Sequence, residues 1–117
     1  MSEYSYTGDI SMTLRKLTIA NGATVSDVVD VQGHGLVGII IPAAFTGTTL
    51  TFQGSFDNNT FVAMYDSAGT ELSVTVSTSR MIAFCPSDFV SPRYLKIVSG
   101  SAEGAERIVE LMFRGFK

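Results

Sequence analysis

Few side chains in this sequence could support catalysis. His34 is the single histidine and Cys85 the single cysteine among 117 residues. A catalytic histidine needs a nucleophile and an orienting acid within hydrogen-bond reach, and no spacing in the sequence predicts either one. We therefore expect His34 to be an exposed turn residue and Cys85 to be a small buried hydrophobe. The sequence predicts no catalytic residue and no enzymatic activity.

The acidic residues and the metal-binding residue types give no stronger signal. Zinc sites usually take several His or Cys ligands, which this composition lacks. The Asp57-Asn58-Asn59 segment begins like a calcium loop, but the required glycine and distal glutamate are missing, so an Asx turn is the better interpretation. The remaining acids are expected to be solvated carboxylates unless the fold pairs them; they are Asp27, Asp30, Asp66 and Asp88. We predict no metal site.

A glycine pattern at 33–38 matches the phosphate-binding motif G-x-G-x-x-G. In a dinucleotide-binding fold the third glycine of this motif lies in a helix that follows the turn. Here the third glycine is Gly38, which lies inside a run of apolar and β-branched residues. The pattern therefore indicates a glycine-rich turn that leads into a buried strand, with Gly38 allowing close packing, and no cofactor site.

The elements that must position these residues are short β-strands separated by turn residues. The pair Arg15-Lys16 interrupts the alternation of the first strand and predicts a bulge there. Residues 87–89 could form one helical turn, and 105–112 fits either a strand or two turns of helix, with strand favoured. The predicted strands span 12–19, 24–31, 36–41, 50–55, 60–65, 72–76, 81–84, 94–98 and 107–113.

Strand number and spacing predict an all-β fold, an antiparallel β-sandwich of eight or nine short strands. The jelly roll, with eight strands in two sheets, is the first choice within this class. We expect residues 1–8 to form a flexible N-terminal arm and residues 9–117 to form a single β-sandwich domain.

Composition narrows the classes of partner. Hydrophobic residues make up 45% of the chain and charged residues only 16%, against about 25% charged in typical domains. We expect the excess apolar surface to contact a partner or another copy of the chain. Eight basic residues among eleven acids argue against binding to nucleic acid. The sequence has no signal-peptide pattern and no apolar run long enough to span a membrane, so we expect synthesis in a cytoplasm and no membrane partner.

Aromatic residues divide into expected core and expected contact positions. The chain has eight Phe, four Tyr and no Trp. The phenylalanines on apolar strand positions are predicted core residues: Phe52, Phe61, Phe84 and Phe113. Large side chains near the termini are predicted interface anchors, unless the C-terminal segment folds back on the sheet. These interface candidates are Tyr4, Tyr6, Phe113, Arg114 and Phe116.

Four segments taken in order resemble a known group of proteins: 36–45, 50–61, 65–72 and 93–100. Together they resemble small proteins of tailed-phage and prophage head-gene regions, some of which are capsid decoration, or cement, proteins with jelly-roll-type folds. The resemblance covers about residues 30–113 and rests on turn and core signatures. It implies a virion protein on the capsid exterior, a dimer or trimer, with the major capsid protein as partner. It brings no catalytic residues and no cofactor.

Two other functions remain open at this stage. A carbohydrate- or receptor-binding module of a phage tail or baseplate would present exposed tyrosines on one sheet face. The absence of Trp weakens this reading, but Tyr65 and Tyr94 could serve together with the two N-terminal tyrosines. A hydrolase of unknown type is the third reading, and no spacing supports a catalytic triad or a carboxylate pair.

Overall fold

The regular secondary structure of the described residues is almost entirely β-strand. The structure is a computed structural model, and it describes residues 12–31 and 33–115. A single 3₁₀ turn, Pro86–Phe89, interrupts the strands where the sequence predicted a helical turn. The strands are β1 (Met12–Ile19), β2 (Val29–Asp30), β3 (His34–Ile41), β4 (Thr49–Ser55), β5 (Val62–Ala63), β6 (Ser73–Thr75), β7 (Arg80–Ala83), β8 (Tyr94–Ser99) and β9 (Arg107–Gly115).

The strands form two antiparallel sheets. A four-stranded sheet has the order β1-β9-β3-β7, and a five-stranded sheet has the order β2-β8-β4-β5 with β6 also pairing with β4. The first four strands alternate between the two sheets, and the first strand of the chain pairs with the last. This is the double-sheet connectivity of a jelly roll. The predicted fold class, an antiparallel β-sandwich of the jelly-roll type, is therefore confirmed.

The core lies between the two sheets. Alternate residues of β1, β3, β4, β8 and β9 point inward, as the period of two requires. Phe52 lies near the centre, with edge-to-face ring contacts to Phe84 at 5.6 Å and Phe89 at 4.9 Å. The buried apolar residues are Leu17, Ile19, Val29, Val31, Leu36, Ile39, Ile41, Leu50, Phe52, Val76, Phe89, Leu95, Ile97, Val109, Leu111 and Phe113.

Three of the four predicted core phenylalanines are confirmed. Phe52 and Phe113 are buried, and Phe84 packs against the core at partial exposure. Phe61 is different: it is only half-buried, and the Lys96 ammonium lies 4.2 Å from its ring centroid. The prediction for Phe61 was wrong because the ring contacts the Lys96 ammonium, a cation–π contact that hydropathy alone does not indicate.

Strand β1 has no bulge. Its residues pair in unbroken register with β9, from Met12 opposite Arg114 to Ile19 opposite Arg107. The two apolar parities that the sequence showed belong to two faces: Leu17 and Ile19 are buried, whereas Met12 and Leu14 are exposed. A period-two strand with apolar residues on both faces looks like an interrupted strand in the sequence, which explains the mistaken bulge.

The irregularity lies in β3 instead. Its register with β9 shifts between Leu36 and Gly38, so Val37 is the extra residue of a β-bulge. Gly33 has a φ of 78° and forms the turn before the strand, and Gly38 lies within the strand. A Cβ on Gly38 would lie 2.6 Å from Cε of Met112. The glycine motif is thus a turn and a close-packing position, as predicted, and no helix follows it.

None of the described segments forms a helix with the length and hydropathy that crossing a membrane requires.

Candidate docking surface

The outer face of the four-stranded sheet is built from residues of one parity on each strand. One row across the sheet, from β1 to β7, consists of Leu14, Met112, Gly38 and Ala83. In the next row Lys16, Glu110, Ile40 and Met81 follow in the same order. Residues of the opposite parity, such as Leu17, Ile39 and Leu111, are buried, so these side chains point away from the core.

Large apolar side chains dominate this face. Met81 is 64% exposed, Met12 55%, Leu14 53% and Ile108 48%. Gly38 leaves the centre of the sheet without a side chain, and Met112 lies over it. We call the set the outer apolar face, and its members are Met12, Leu14, Ile40, Met81, Ile108 and Met112. A contiguous apolar surface that is not covered by the fold marks an interaction site.

Charge on the outer apolar face is confined to a few positions. Lys16 is directly opposite Glu110 on the neighbouring strand, so the two charges offset each other within the sheet. Arg114 is exposed at the end where β1 begins. The centre of the face therefore carries little net charge, and its methionines can adapt to the shape of a partner.

The outer face of the five-stranded sheet has the opposite character. Thr51 lies between Val98 and Ser73, and Gln53 lies between Lys96 and Ala63. These side chains are mostly polar, and they resemble the solvated face of an ordinary antiparallel sheet. The sandwich is thus asymmetric, with one outer face suited to water and the other suited to a protein neighbour.

A second surface feature is an open groove of about 360 Å³ beside the edge strand β5. Phe56 is 86% exposed at its rim, and Tyr65 and Val62 are also exposed. Asp88, from the 3₁₀ turn, supplies a carboxylate to its lining. The groove combines exposed rings with a few polar groups, which is the composition of a shallow ligand site.

A buried carboxylate holds the end of the sandwich opposite the groove. Glu103 is 1% exposed, although it lies in the loop between β8 and β9. Its oxygens accept hydrogen bonds from the N–H of Thr46 at 2.8 Å and of Gly47 at 2.9 Å. The Ser99 hydroxyl lies 2.8 Å away and Nε of Arg107 2.9 Å away. The carboxylate therefore joins the β3–β4 loop to the β8–β9 loop.

The electrostatics of Glu103 follow from these contacts. Burial raises the pKa of the carboxyl group, but its donors outweigh that effect: the Thr46 amide, the Ser99 hydroxyl, the Arg107 guanidinium and the Gly47 amide. The pKa of Glu103 therefore lies below the ordinary glutamate value, and the group stays ionised at neutral pH. Every oxygen is already engaged, so this carboxylate acts as a structural clamp.

The predicted interface anchors fall into three groups. Phe113 is 2% exposed and belongs to the core, so its prediction as an interface residue was wrong. It lies on the inward parity of β9, opposite Thr13 and Leu36, and its ring fills the space between the sheets. Arg114 is exposed beside the outer apolar face, and its role as an anchor stays a prediction. Tyr4, Tyr6 and Phe116 lie outside the described residues.

The candidate catalytic residues are dispersed. Cys85 is exposed, not buried as predicted, because it precedes the 3₁₀ turn, and its Sγ lies 3.2 Å from the Ser87 hydroxyl. His34 begins β3 and is half-buried, not exposed, in a small depression that Arg15 and Asp30 also line. Within 12–31 and 33–115, no three residues of the types His, Cys, Asp and Glu cluster closely enough to hold a metal ion.

Each of the candidate acids occupies a separate place. Asp30 forms a bidentate ion pair with Arg93, at 2.7 Å and 3.1 Å. Asp27 accepts the N–H of Thr18 at 2.8 Å. Asp66 accepts N–H groups within its own turn, and Asp88 lines the groove. The hydrogen bonds of the described residues join neither Asp27 to Asp30 nor Asp66 to Asp88.

The Asx turn predicted at 57–59 is confirmed. Oδ1 of Asp57 accepts the N–H groups of Asn59 at 2.9 Å and Thr60 at 3.0 Å. Hydrogen bonds from the Thr60 and Asn59 amides lower the pKa of Asp57 below its ordinary value. Asn58 takes a φ of 62°, a conformation that asparagine tolerates better than most residues. The turn needs no ion to hold its shape.

The two tyrosines in the described part of the chain, Tyr65 and Tyr94, occupy separate places. Tyr65 lies at the groove, whereas Tyr94 lies on β8 with the Arg93 guanidinium 5.2 Å from its ring centroid. No ring contact joins them in the described part of the chain. Exposed rings are instead Phe56 and Tyr65, both at the groove.

Sequence reasoning missed the outer apolar face and the Glu103 clamp. The low charge content did predict uncovered apolar surface, but it gave no location for it. A signal was present in β1, where apolar residues occupy both parities. No sequence pattern indicated the Glu103 clamp, because its partners Thr46 and Gly47 are 57 and 56 residues away in the chain.

Comparison with known proteins shows a likeness to a solved structure. No protein-family model matches the sequence, and no curated protein matches it either. The crystal structure of YomS, a protein derived from the prophage SPBc2, is similar with a TM-score of 0.63. The alignment covers 95% of this chain and 99% of that chain at 11% sequence identity. At this identity the likeness shows that the two chains share a fold.

Proposed function

We propose that this chain is a non-enzymatic structural protein of a tailed-phage or prophage virion that decorates the capsid. It is made in the host cytoplasm and binds major capsid protein subunits on the capsid exterior as a homo-oligomer, a dimer or trimer. Two observations support a phage origin. The four quoted sequence segments resemble proteins of phage head-gene regions, and the similar fold of YomS belongs to a prophage-derived protein.

The observation that carries the proposal is the outer apolar face. Side chains such as Met81 and Leu14 are more than half exposed on a sheet face where charge is confined to a few positions. Burial of apolar area on a partner contributes roughly 25 cal/mol per Å² before the costs of association. A surface of this kind suits a broad, flat protein neighbour better than a small ligand.

Binding of this kind stabilises a shell by linkage. A protein that binds the assembled shell and not its separated subunits favours the shell by RT ln(1 + [L]/Kd) per site. An oligomer that engages several subunits at once gains further from the high effective concentration of the second contact. Modest affinity per face is therefore enough to cement a repeating lattice.

The test adds purified protein to capsids that lack it and measures binding and the temperature at which the shells open. We expect the wild-type chain to bind and to raise this temperature. Met81→Lys places an unpaired charge in the contact and should weaken binding at least tenfold, because burying that charge is costly. Ser73→Lys, on the polar outer face of the five-stranded sheet, is the matched control and should bind normally.

Results against the proposal are equally definite. If the wild-type chain does not bind such shells, decoration of the capsid is excluded. If it binds and Ser73→Lys is defective while Met81→Lys is normal, the protein docks through the other face and the assigned surface is wrong.

The groove favours a second candidate function, a carbohydrate- or receptor-binding module of a phage tail or baseplate. Exposed Phe56 and Tyr65 offer ring faces, and Asp88 and Ser91 offer polar groups that could hold hydroxyls. A glycan array tests this reading, with Tyr65→Ala as the control variant. Binding that Tyr65→Ala abolishes would favour it over decoration, and an array without binding would remove it.

A further inference from the structure

The edge strands of the sandwich differ in length. Sheets usually keep their edge strands short, charged or covered, because free N–H and C=O groups pair with other chains. Strands β2 and β5 have two residues each and β7 has four. Strand β1 has eight residues and forms the other edge of the four-stranded sheet.

The backbone of β1 shows which groups its free edge offers. The N–H of Thr18 donates to Asp27 Oδ1 at 2.8 Å, and the C=O of Thr18 accepts from the Asp27 N–H at 3.1 Å. Thr18 therefore points its main chain away from β9, and so do the alternate residues Lys16, Leu14 and Met12. Asp27 and Ser26 close the edge at Thr18 and Ile19. In the described part of the chain nothing pairs with the edge from Met12 to Lys16.

We propose that this edge pairs with β1 of a second copy of the chain, antiparallel and centred on Leu14. The open stretch from Met12 to Lys16 is symmetric about Leu14, so a two-fold axis there matches each free group with one from the other copy. Leu14 then lies opposite Leu14, and Met12 lies opposite Lys16. About six main-chain hydrogen bonds form in this register.

Charge favours this register over those centred on Arg15 and Lys16. A two-fold axis at Lys16 would set two ammonium groups directly opposite each other, and an axis at Arg15 would do the same with two guanidinium groups. The axis at Leu14 puts Arg15 opposite Thr13 and removes both conflicts. The self-complementary register identifies the occupant as a second copy and not as an unrelated extended peptide.

Continuity of the outer apolar face adds an independent reason. Met12 and Leu14 lie at the margin of that face, next to the edge. Pairing through β1 joins two four-stranded sheets into one sheet of twice the width, with the two faces merged. This inference deepens the proposed function, because it specifies how the proposed homo-oligomer forms, and it holds whatever the merged face binds.

Cysteine cross-linking tests the pairing in the full chain. Replacing the exposed Cys85 by Ser removes the native thiol, and Leu14→Cys is then added. In an antiparallel hydrogen-bonded pair the two Cα atoms lie about 5.5 Å apart, within the range of a disulfide. We expect a covalent dimer under mild oxidation. Lys16→Cys in the same background is the control, because its two Cα atoms would be roughly 14 Å apart.

A second measurement does not depend on a disulfide. Native mass spectrometry of the wild-type chain should show a dimer, and Leu14→Pro should remove it. The proline deletes an N–H that points away from β9, so the monomer should keep its melting temperature. Should Leu14→Pro fail to fold, Leu14→Lys sets like charges opposite each other and should weaken the dimer at least about tenfold.

Several outcomes overturn the inference. They are a dimer cross-linked through Lys16→Cys and not through Leu14→Cys, a wild-type chain that stays monomeric, and a dimer that both Leu14 variants leave intact. Cross-linking through Leu14→Cys together with loss of the dimer in Leu14→Pro or Leu14→Lys supports it. Neither result depends on capsid binding, so failure here and failure of the proposed function can be told apart.

Discussion

Replacing Glu103 by Gln should destabilise the fold far more than its place in a glycine- and serine-rich loop suggests. The amide oxygen of Gln can keep the bonds from Thr46 and Arg107, and its NH₂ can donate to the Ser99 hydroxyl. The N–H of Gly47, which is buried, then loses its acceptor. An orphaned buried donor costs about 1–3 kcal/mol, and loss of the charge on the bond to Arg107 costs about 1 kcal/mol more. The expected total is about 2–4 kcal/mol.

Acid should reduce the difference in unfolding free energy between the wild-type protein and Glu103→Gln. The pKa of Glu103 is depressed in the folded state, so its contribution is present above the unfolded pKa. It is lost as the pH falls from that value through the folded pKa. The glutamine variant has no such group. The stability gap between wild type and variant should therefore be constant at neutral pH and should narrow as the pH falls below about 4.3, the ordinary glutamate pKa.

Urea denaturation at a series of pH values measures the gap. Glu106→Gln, in the same loop at an exposed position, is the matched control and should lie within about 0.5 kcal/mol of wild type. A Glu103→Gln variant as stable as Glu106→Gln at neutral pH would refute the clamp. A gap that widened in acid would contradict the assigned pKa direction.

Two further predictions concern the core and the glycine motif. Phe52→Ala removes the ring at the centre of the aromatic cluster and should lower the unfolding free energy by about 3–5 kcal/mol. Urea denaturation measures this loss, and an unchanged midpoint would contradict the core assignment. Gly33→Ala meets no steric clash, but it strains a backbone with a φ of 78°. The variant should lose about 1 kcal/mol of stability, measured by thermal denaturation. A variant as stable as wild type would contradict the turn assignment.

Local patterns in the sequence predict most of the strands. The first strand at 12–19 and the last strand from 107 match the structure at those boundaries, and the 3₁₀ turn follows Cys85 near the predicted place. Turn residues such as Gly22 and Gly33 take the positive φ values that their positions require. These features depend on residues close together in the sequence, so local sequence patterns predict them.

Features that depend on distant partners are those the sequence misassigned. Whether Met12 and Leu14 point inward or outward is decided by pairing with β9, about a hundred residues away. Phe61 is only half-buried because its ring meets Lys96, a residue of β8. The position of the outer apolar face depends on these long-range contacts. The composition indicates only that some apolar surface is exposed.

Methionine oxidation on intact capsids tests the central claim most directly. Met12 and Met81 lie on the outer apolar face, whereas Met64 lies at the groove and serves as an internal control. Limited peroxide converts accessible methionine to its sulfoxide, and peptide mass spectrometry reads each position. We predict that bound protein shows Met12 and Met81 protected at least several-fold relative to free protein, with Met64 unchanged. Equal oxidation of Met81 in bound and free protein would contradict docking through this face.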